Sequence, residues 1–106
     1  MVKVKAKIPQ KMKWLFWSYD INSLDFETDK DYIISQVLNY GDWDDVKWLF
    51  KIYSKEEIKE VVKHPQRGCW FEKNLKFWNL MFNIKLKEDI FKKVIFDPIS
   101  LKAKNN

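Results

Sequence analysis

The chain has 106 residues, one cysteine and a formal net charge of +5, with a third of its residues charged. That length supports one hydrophobic core, and the lone Cys69 excludes an internal disulfide, so the expectation is a reduced, cytoplasmic domain that folds without staples. No apolar run approaches the ~18 residues of a membrane span, and the opening "MVKVKAKIPQ" alternates lysine with apolar residues, unlike a signal peptide.

In chain order, residues 1–8 read as a basic arm, 9–96 as a single helical domain and 97–106 as a tail. Pro9 opens a short helix through "QKMKWLFW", which gives way to a polar bend at Asp20 to Asp25. The spacing of Ile33, Ile34, Val37 and Leu38 predicts a helix from about Thr28 to Tyr40. Gly41 is expected to end it as a left-handed C′ residue. Asp42 then caps a helix over Trp43 to Tyr53, with Asp44 and Asp45 in its first turn, where free N–H groups favour negative charge.

On that helix Val46, Leu49, Phe50 and Tyr53 mark a core face, while Trp48 and Ile52 lie on another side. Ser54 with Glu57 forms a capping box for a helix bearing Ile58, Val61 and Val62, which Pro65 ends. After the loop "HPQRGCW", a helix from about Glu72 to Asn83 places Leu75, Trp78 and Phe82 on one face. Phe77, Leu80 and Met81 fall off it. The last candidate, Lys87 to Phe96, pairs Ile90 with Phe91 and Val94 with Ile95; its β-branched end could instead form a short strand against "VKVKAKI". The fold expected is all-α, four to five short helices, with a terminal strand pairing as the variant.

The net charge hides a division. Residues 1–19 hold five lysines and no acid, residues 20–60 hold eleven acids against five lysines, and residues 61–106 hold nine lysines and one arginine against four acids, giving +5, −6 and +6. An acidic centre between basic ends suits a protein partner at least as well as nucleic acid.

Catalytic chemistry is not written here. His64 and Cys69 stand five residues apart in a loop, with no third group to orient them and no stabiliser for developing charge. Asp29, Asp31, Asp42, Asp44 and Asp45 could be imagined around magnesium, but helix starts account for them, and no phosphate loop or metal-ligand spacing accompanies them. Neither a cofactor nor a metal is expected, and no enzyme. Lys73 and Lys76, after a loop bearing Arg67, outline a helix-turn-helix reader that the arm lysines Lys3, Lys5 and Lys7 could assist by neutralising phosphates.

The anomaly is aromatic. Six Trp, eight Phe and four Tyr each offer ~150–250 Å² to bury, more than a small interior readily covers. The candidate protein-binding residues are therefore Trp14, Trp17, Trp48, Ile52, Phe77 and Met81, since Trp and Tyr dominate interface hot spots.

"KWLFWSYD", then "LDF", then "DYIISQVLNYGDWDDVKWLFKIYS" resembles a family of short prokaryotic proteins with a tryptophan-aspartate opening, an "IIxxVLxxGD" helix end and a "WL" helix finishing in tyrosine. The likeness runs from about Pro9 to Asn83. The family closes with a basic, serine-bearing loop before a Phe-Trp helix; "QRGCWFEKNLKFW" keeps Phe77 and Trp78 without the serine. Such proteins look like the small partners of AbiE-type nucleotidyltransferase toxins. The resemblance implies an antitoxin-like role and transfers no catalytic residue.

Overall fold

Pro9, with φ −59° and ψ 140°, delivers its carbonyl to the amide of Met12 at 2.9 Å and so starts the first helical segment. The computed structural model describes residues 8–17, 19–66 and 70–95, and these divide between Val61 and Val62 into two compact units. Lys3, Lys5, Lys7, Arg67, Cys69 and nearly all of the segment expected to pair as a strand lie outside the described residues.

In the first unit, Gln10–Phe16 form a 3-10 helix, tighter than the α-helix the sequence allows. Its buried residues Met12 and Leu15 are three apart, which in a three-residue turn aligns them in one straight row, and Phe16 joins them inside. A second 3-10 turn, Ile21–Ser23, is tied by the Asp20 carboxylate accepting from the Asn22 amide and by the Ser23 hydroxyl donating to the Asp20 carbonyl.

Helix α1 is Lys30–Tyr40. A preparatory turn precedes it, because one Asp25 oxygen accepts from the amides of Glu27 and Thr28, each at 2.8 Å, while the Asp29 carboxylate accepts from the Asp25 amide. That reciprocal arrangement is a helix start in all but assignment, and it explains why the expected boundary at Thr28 falls inside the turn. Ile33, Ile34, Val37 and Leu38 are buried as their spacing predicts. A second face of α1 carries Tyr32, Gln36 and Tyr40, successive fourth residues. It receives the 3-10 helix: Phe16 tilts against Tyr32, the Gln36 amide donates to the Leu15 carbonyl at 2.6 Å, and Trp17 stands edge-on to Tyr40.

Gly41 does not take the left-handed conformation expected of it; it is extended, with φ −78° and ψ 159°. Glycine is required for space instead. A Cβ there would lie 2.8 Å from the Val37 carbonyl oxygen and 2.9 Å from the Asp45 Cβ. The approach is this close because Asp45 folds back into a capping box at the start of α2, Trp43–Ile52: the Asp42 carboxylate accepts from the Asp45 amide, and the Asp45 carboxylate accepts from the Asp42 amide.

Along α2, Val46, Leu49 and Tyr53 are buried, but Phe50 is 38% exposed and is not the core residue its spacing suggested. It sits roughly 70° from the centre of the stripe the other three define, at the margin of what one helix can bury. The Tyr53 hydroxyl donates to the Phe26 carbonyl at 2.7 Å, and the Phe26 ring lies between Trp48 and Tyr53. Helix α3, Lys55–Lys63, begins with the expected Ser54–Glu57 capping box and buries Ile58, Val61 and Val62.

The second unit holds α4, Glu72–Met81, and α5, Glu88–Val94. Leu75, Trp78 and Phe82 are buried, with the Trp78 and Phe82 rings stacked. Asn83 adopts φ 57°, its amide reaching the Leu80 carbonyl and the Ile84 amide reaching that of Asn79. That is a Schellman stop, with asparagine where glycine is usual. Past α5, Ile95 makes an isolated parallel bridge to the buried Trp70, whose amide donates to the Val94 carbonyl. The described residues thus hold helices and one bridge but no strand, an all-α architecture.

Candidate protein-binding face

Three residues per turn has a consequence for function. In a 3-10 helix, positions three apart eclipse, so Lys11 and Trp14, continued by the C-cap Trp17, form a row about 120° round from Met12 and Leu15, with about 6 Å of rise separating the two tryptophans. An α-helix would stagger them. Trp14 is 56% exposed, Trp17 60% and, just beyond, Tyr19 54%. Two of these rings are braced: Trp17 meets Tyr40 edge-on at 4.9 Å, and Tyr19 meets Tyr32 at 4.9 Å. Tyr32 and Tyr40 are half-buried, so exposed indole and phenol stand on a foundation supplied by α1. Rings held in place on the outside are suited to docking, because little side-chain freedom remains to be lost.

The other candidates are distributed differently. Trp48 and Ile52 are half-buried, and Trp48 leans on Phe26, so part of that pair belongs to the fold. Phe77 and Met81 are exposed on α4, in the second unit, together with Leu80. Trp14 and Trp17 are thus brought into one row, whereas the remaining four lie on other helices. Sequence reasoning missed Tyr19 and Trp43, and it placed Leu80 off the core face without making it a candidate; all three are exposed. Trp43 was recoverable, since the first residue after an N-cap seldom points inward.

Of the basic residues proposed for DNA, Lys73 is exposed and makes no ion pair among the described residues, while Lys76 is paired with Glu72 at 2.9 Å. His64 is exposed beyond α3. Asp42 and Asp45 are engaged in their capping box and Asp29 with the Asp25 amide. Among the described residues, no three His, Cys, Asp or Glu side chains converge to hold a metal, and no helix is long and apolar enough to cross a membrane.

Charge around Tyr53 is negative. Burial raises its phenol pKa far above the usual tyrosine range, and Glu27, Glu57, Asp25 and Asp29 raise it further. Asp25 is shifted the other way, its carboxylate held below the ordinary range by the Thr28 and Glu27 amides. Lys30 offsets part of this acidity, approaching Glu57 at 3.7 Å.

Residues 12–62, just under half of the chain, match the model of a family of unknown function (DUF6922). The matched span stops where the first compact unit stops, and it contains the Trp14–Trp17 row with its support on α1. No curated protein and no solved structure matches the chain.

Proposed function

We propose that the chain is a non-enzymatic protein-binding module whose Trp14–Trp17 row covers a surface on a partner protein, resembling an antitoxin that masks or modulates a toxin enzyme. The observation that carries this reading is the solvent-facing pair Trp14 and Trp17, with Trp17 braced from behind by Tyr40. Two indoles more than half exposed keep apolar area in water that a partner would remove. The span that matches the family model, residues 12–62, lies almost wholly in the unit bearing the row and contains both tryptophans, which supports placing the module's activity there. The choice of a nucleotidyltransferase-type toxin as partner rests on the likeness of "KWLFWSYD" and "IIxxVLxxGD" to the AbiE-associated proteins. Bipolar charge would steer the encounter and the rings would supply affinity.

The competing reading, a helix-turn-helix-like regulator using Arg67, Lys73, Lys76 and the arm lysines, draws support from the exposure of Lys73. Against it, the outward side of α4 offers Phe77, Leu80 and Met81, which give base edges no hydrogen bond.

The test is co-expression with an AbiE-type nucleotidyltransferase from the same host. The expected result is a co-eluting complex and relief of growth arrest, both lost in Trp14→Ser/Trp17→Ser while circular dichroism stays native. A double variant that still binds and still protects removes the row from the reading. Duplex DNA binding that falls steeply with salt, without any complex, hands the function to the regulator.

A further inference from the structure

The chain leads from the tryptophan row to a third exposed indole. Trp17, the last ring of the row, stands edge-on to Tyr40 at 4.9 Å, and Tyr40 is the last residue of α1. Three residues on, Trp43 opens α2 with 59% of its surface exposed, so at most about 11 Å of backbone separates it from the ring that braces Trp17. Trp14, Trp17 and Trp43 all belong to the first compact unit.

Charge differs between the two ends of this surface. Lys11 stands in the row one turn before Trp14, roughly 12 Å of rise from Trp17, and Lys13 directly precedes Trp14. Both lysines are exposed, and residues 1–19 contain no acid. Trp43, by contrast, lies between the exposed Asp42 and Asp44. Asp42 gives one oxygen to the capping box, and Asp44 makes no hydrogen bond or ion pair among the described residues. Lys47 follows one turn later on the same side of α2, which confines the acidity to the helix start. No ion pair joins Lys11 or Lys13 to Asp42 or Asp44 among the described residues, so within one chain the two ends leave each other unsatisfied.

We propose that, when no partner is bound, two copies of this chain pair these surfaces about a two-fold axis, the Lys11–Trp14–Trp17 row of each lying on Trp43 of the other. Lys11 and Lys13 then face Asp42 and Asp44. A two-fold axis brings unlike ends together, since each copy offers its cationic end to the acidic end of the other. This rests on the reading of the row as a protein-docking face and adds how that face is governed: a partner must displace the second copy, so capture weakens as the chain is concentrated. The three indoles expose on the order of 300–400 Å² per copy, about half or less of the ~800 Å² per side of a standard interface. Self-association is therefore weak enough to yield to a larger partner surface, and its exposed charged rim makes it salt-sensitive.

Sedimentation equilibrium of the isolated chain across a concentration series tests the proposal. The expected mass rises toward two chains and falls back toward one between about 0.05 M and about 0.5 M salt. Lys11→Glu/Lys13→Glu and Asp44→Lys are each monomeric alone, and an equal mixture regains a dimer because both contacts then join opposite charges. Regain in the mixture excludes misfolding as the cause of either loss. Trp43→Ser is monomeric too, yet captures the co-expressed nucleotidyltransferase at least as well as the wild type, since its row is open. A wild-type chain that stays monomeric at every concentration overturns the proposal, as does a dimer that survives both charge variants or a mass that grows past two without limit. If such a monomer still binds the nucleotidyltransferase through the row, the self-association alone has failed. A dimer that responds to both charge variants beside no nucleotidyltransferase complex removes that partner instead and leaves the pairing standing.

Discussion

The side-chain amide of Gln36 donates to the backbone carbonyl of Leu15 at 2.6 Å, joining the middle of α1 to the 3-10 helix between its two exposed tryptophans. Leu15 itself is fully buried. This bond fixes the axial position of the row, so its loss should disturb function more than fold. Gln36→Glu keeps the shape but presents no N–H, leaving the carbonyl facing an acceptor; the expected cost is about 1–3 kcal/mol in urea denaturation. Partner affinity should fall with it, although Gln36 is not itself one of the exposed rings. A Gln36→Glu chain of unaltered stability would show that the hydrogen bond is not what holds the 3-10 helix.

Gly41→Ala separates two explanations of the same residue. Were backbone conformation the only constraint at this position, alanine would be harmless, because φ −78° is ordinary for any residue. The structure instead places the added methyl against the Val37 carbonyl and the Asp45 Cβ. Val37 is held within α1 and Asp45 by its capping box, so neither yields cheaply. Overpacking of this kind costs about 1–3 kcal/mol. The midpoint of chemical unfolding should drop accordingly, and an unchanged midpoint contradicts the steric account.

Much of this architecture was legible because local rules and tertiary packing agree. Asp42 and Ser54 read as caps and are caps; Ile33, Ile34, Val37 and Leu38 read as one face and are buried. Legibility failed where a residue answers to something distant in sequence. Gly41 is shaped by a side chain from the following helix, and Phe50 loses its place to a stripe centred on Val46, Leu49 and Tyr53. The candidate face depended on a distinction that periodicity does not make: "KMKWLFW" fits an α-turn or a 3-10 turn, and only the latter aligns Trp14 with Trp17. The bracing role of Tyr32 and Tyr40 was hidden as well, since both rings sit beside the apolar stripe of α1 rather than within it.

Two groups give the stability a pH dependence of opposite sense. The Tyr53 pKa is higher folded than unfolded, so its contribution is fully present below the unfolded value near 10 and is lost as pH rises through the folded one. Asp25 is depressed when folded; its contribution is present above the ordinary value of 3.8 and is lost as pH falls through the folded pKa. Tyr53→Phe should flatten the alkaline limb, while also losing the bond to the Phe26 carbonyl. Asp25→Asn can still cap the Phe26–Asp29 turn but does not titrate, so it should flatten the acid limb. Thermal melts across pH check both, and a wild-type acid limb retained in Asp25→Asn assigns it elsewhere.

Neighbouring residues of the 3-10 helix should separate stability from recognition. Leu15 is fully buried, and Leu15→Ala removes apolar contact and leaves a cavity, at about 2–5 kcal/mol. Trp14, one position earlier, faces solvent with Lys11 and Trp17, so Trp14→Ser should alter stability by no more than about 0.5 kcal/mol. Trp17→Ser should cost slightly more, because its edge contact with Tyr40 contributes about 0.5–1.5 kcal/mol. If the two indoles form the centre of a protein interface, each substitution should weaken partner binding by at least about 2 kcal/mol, roughly thirtyfold, measured by calorimetry on the folded variants. The pair should not be additive, since adjacent rings in one row share a single desolvated pocket. The opposite pattern, in which Trp14→Ser unfolds the chain and leaves binding unchanged among molecules that remain folded, would make the row a structural edge and remove the physical basis for the binding module.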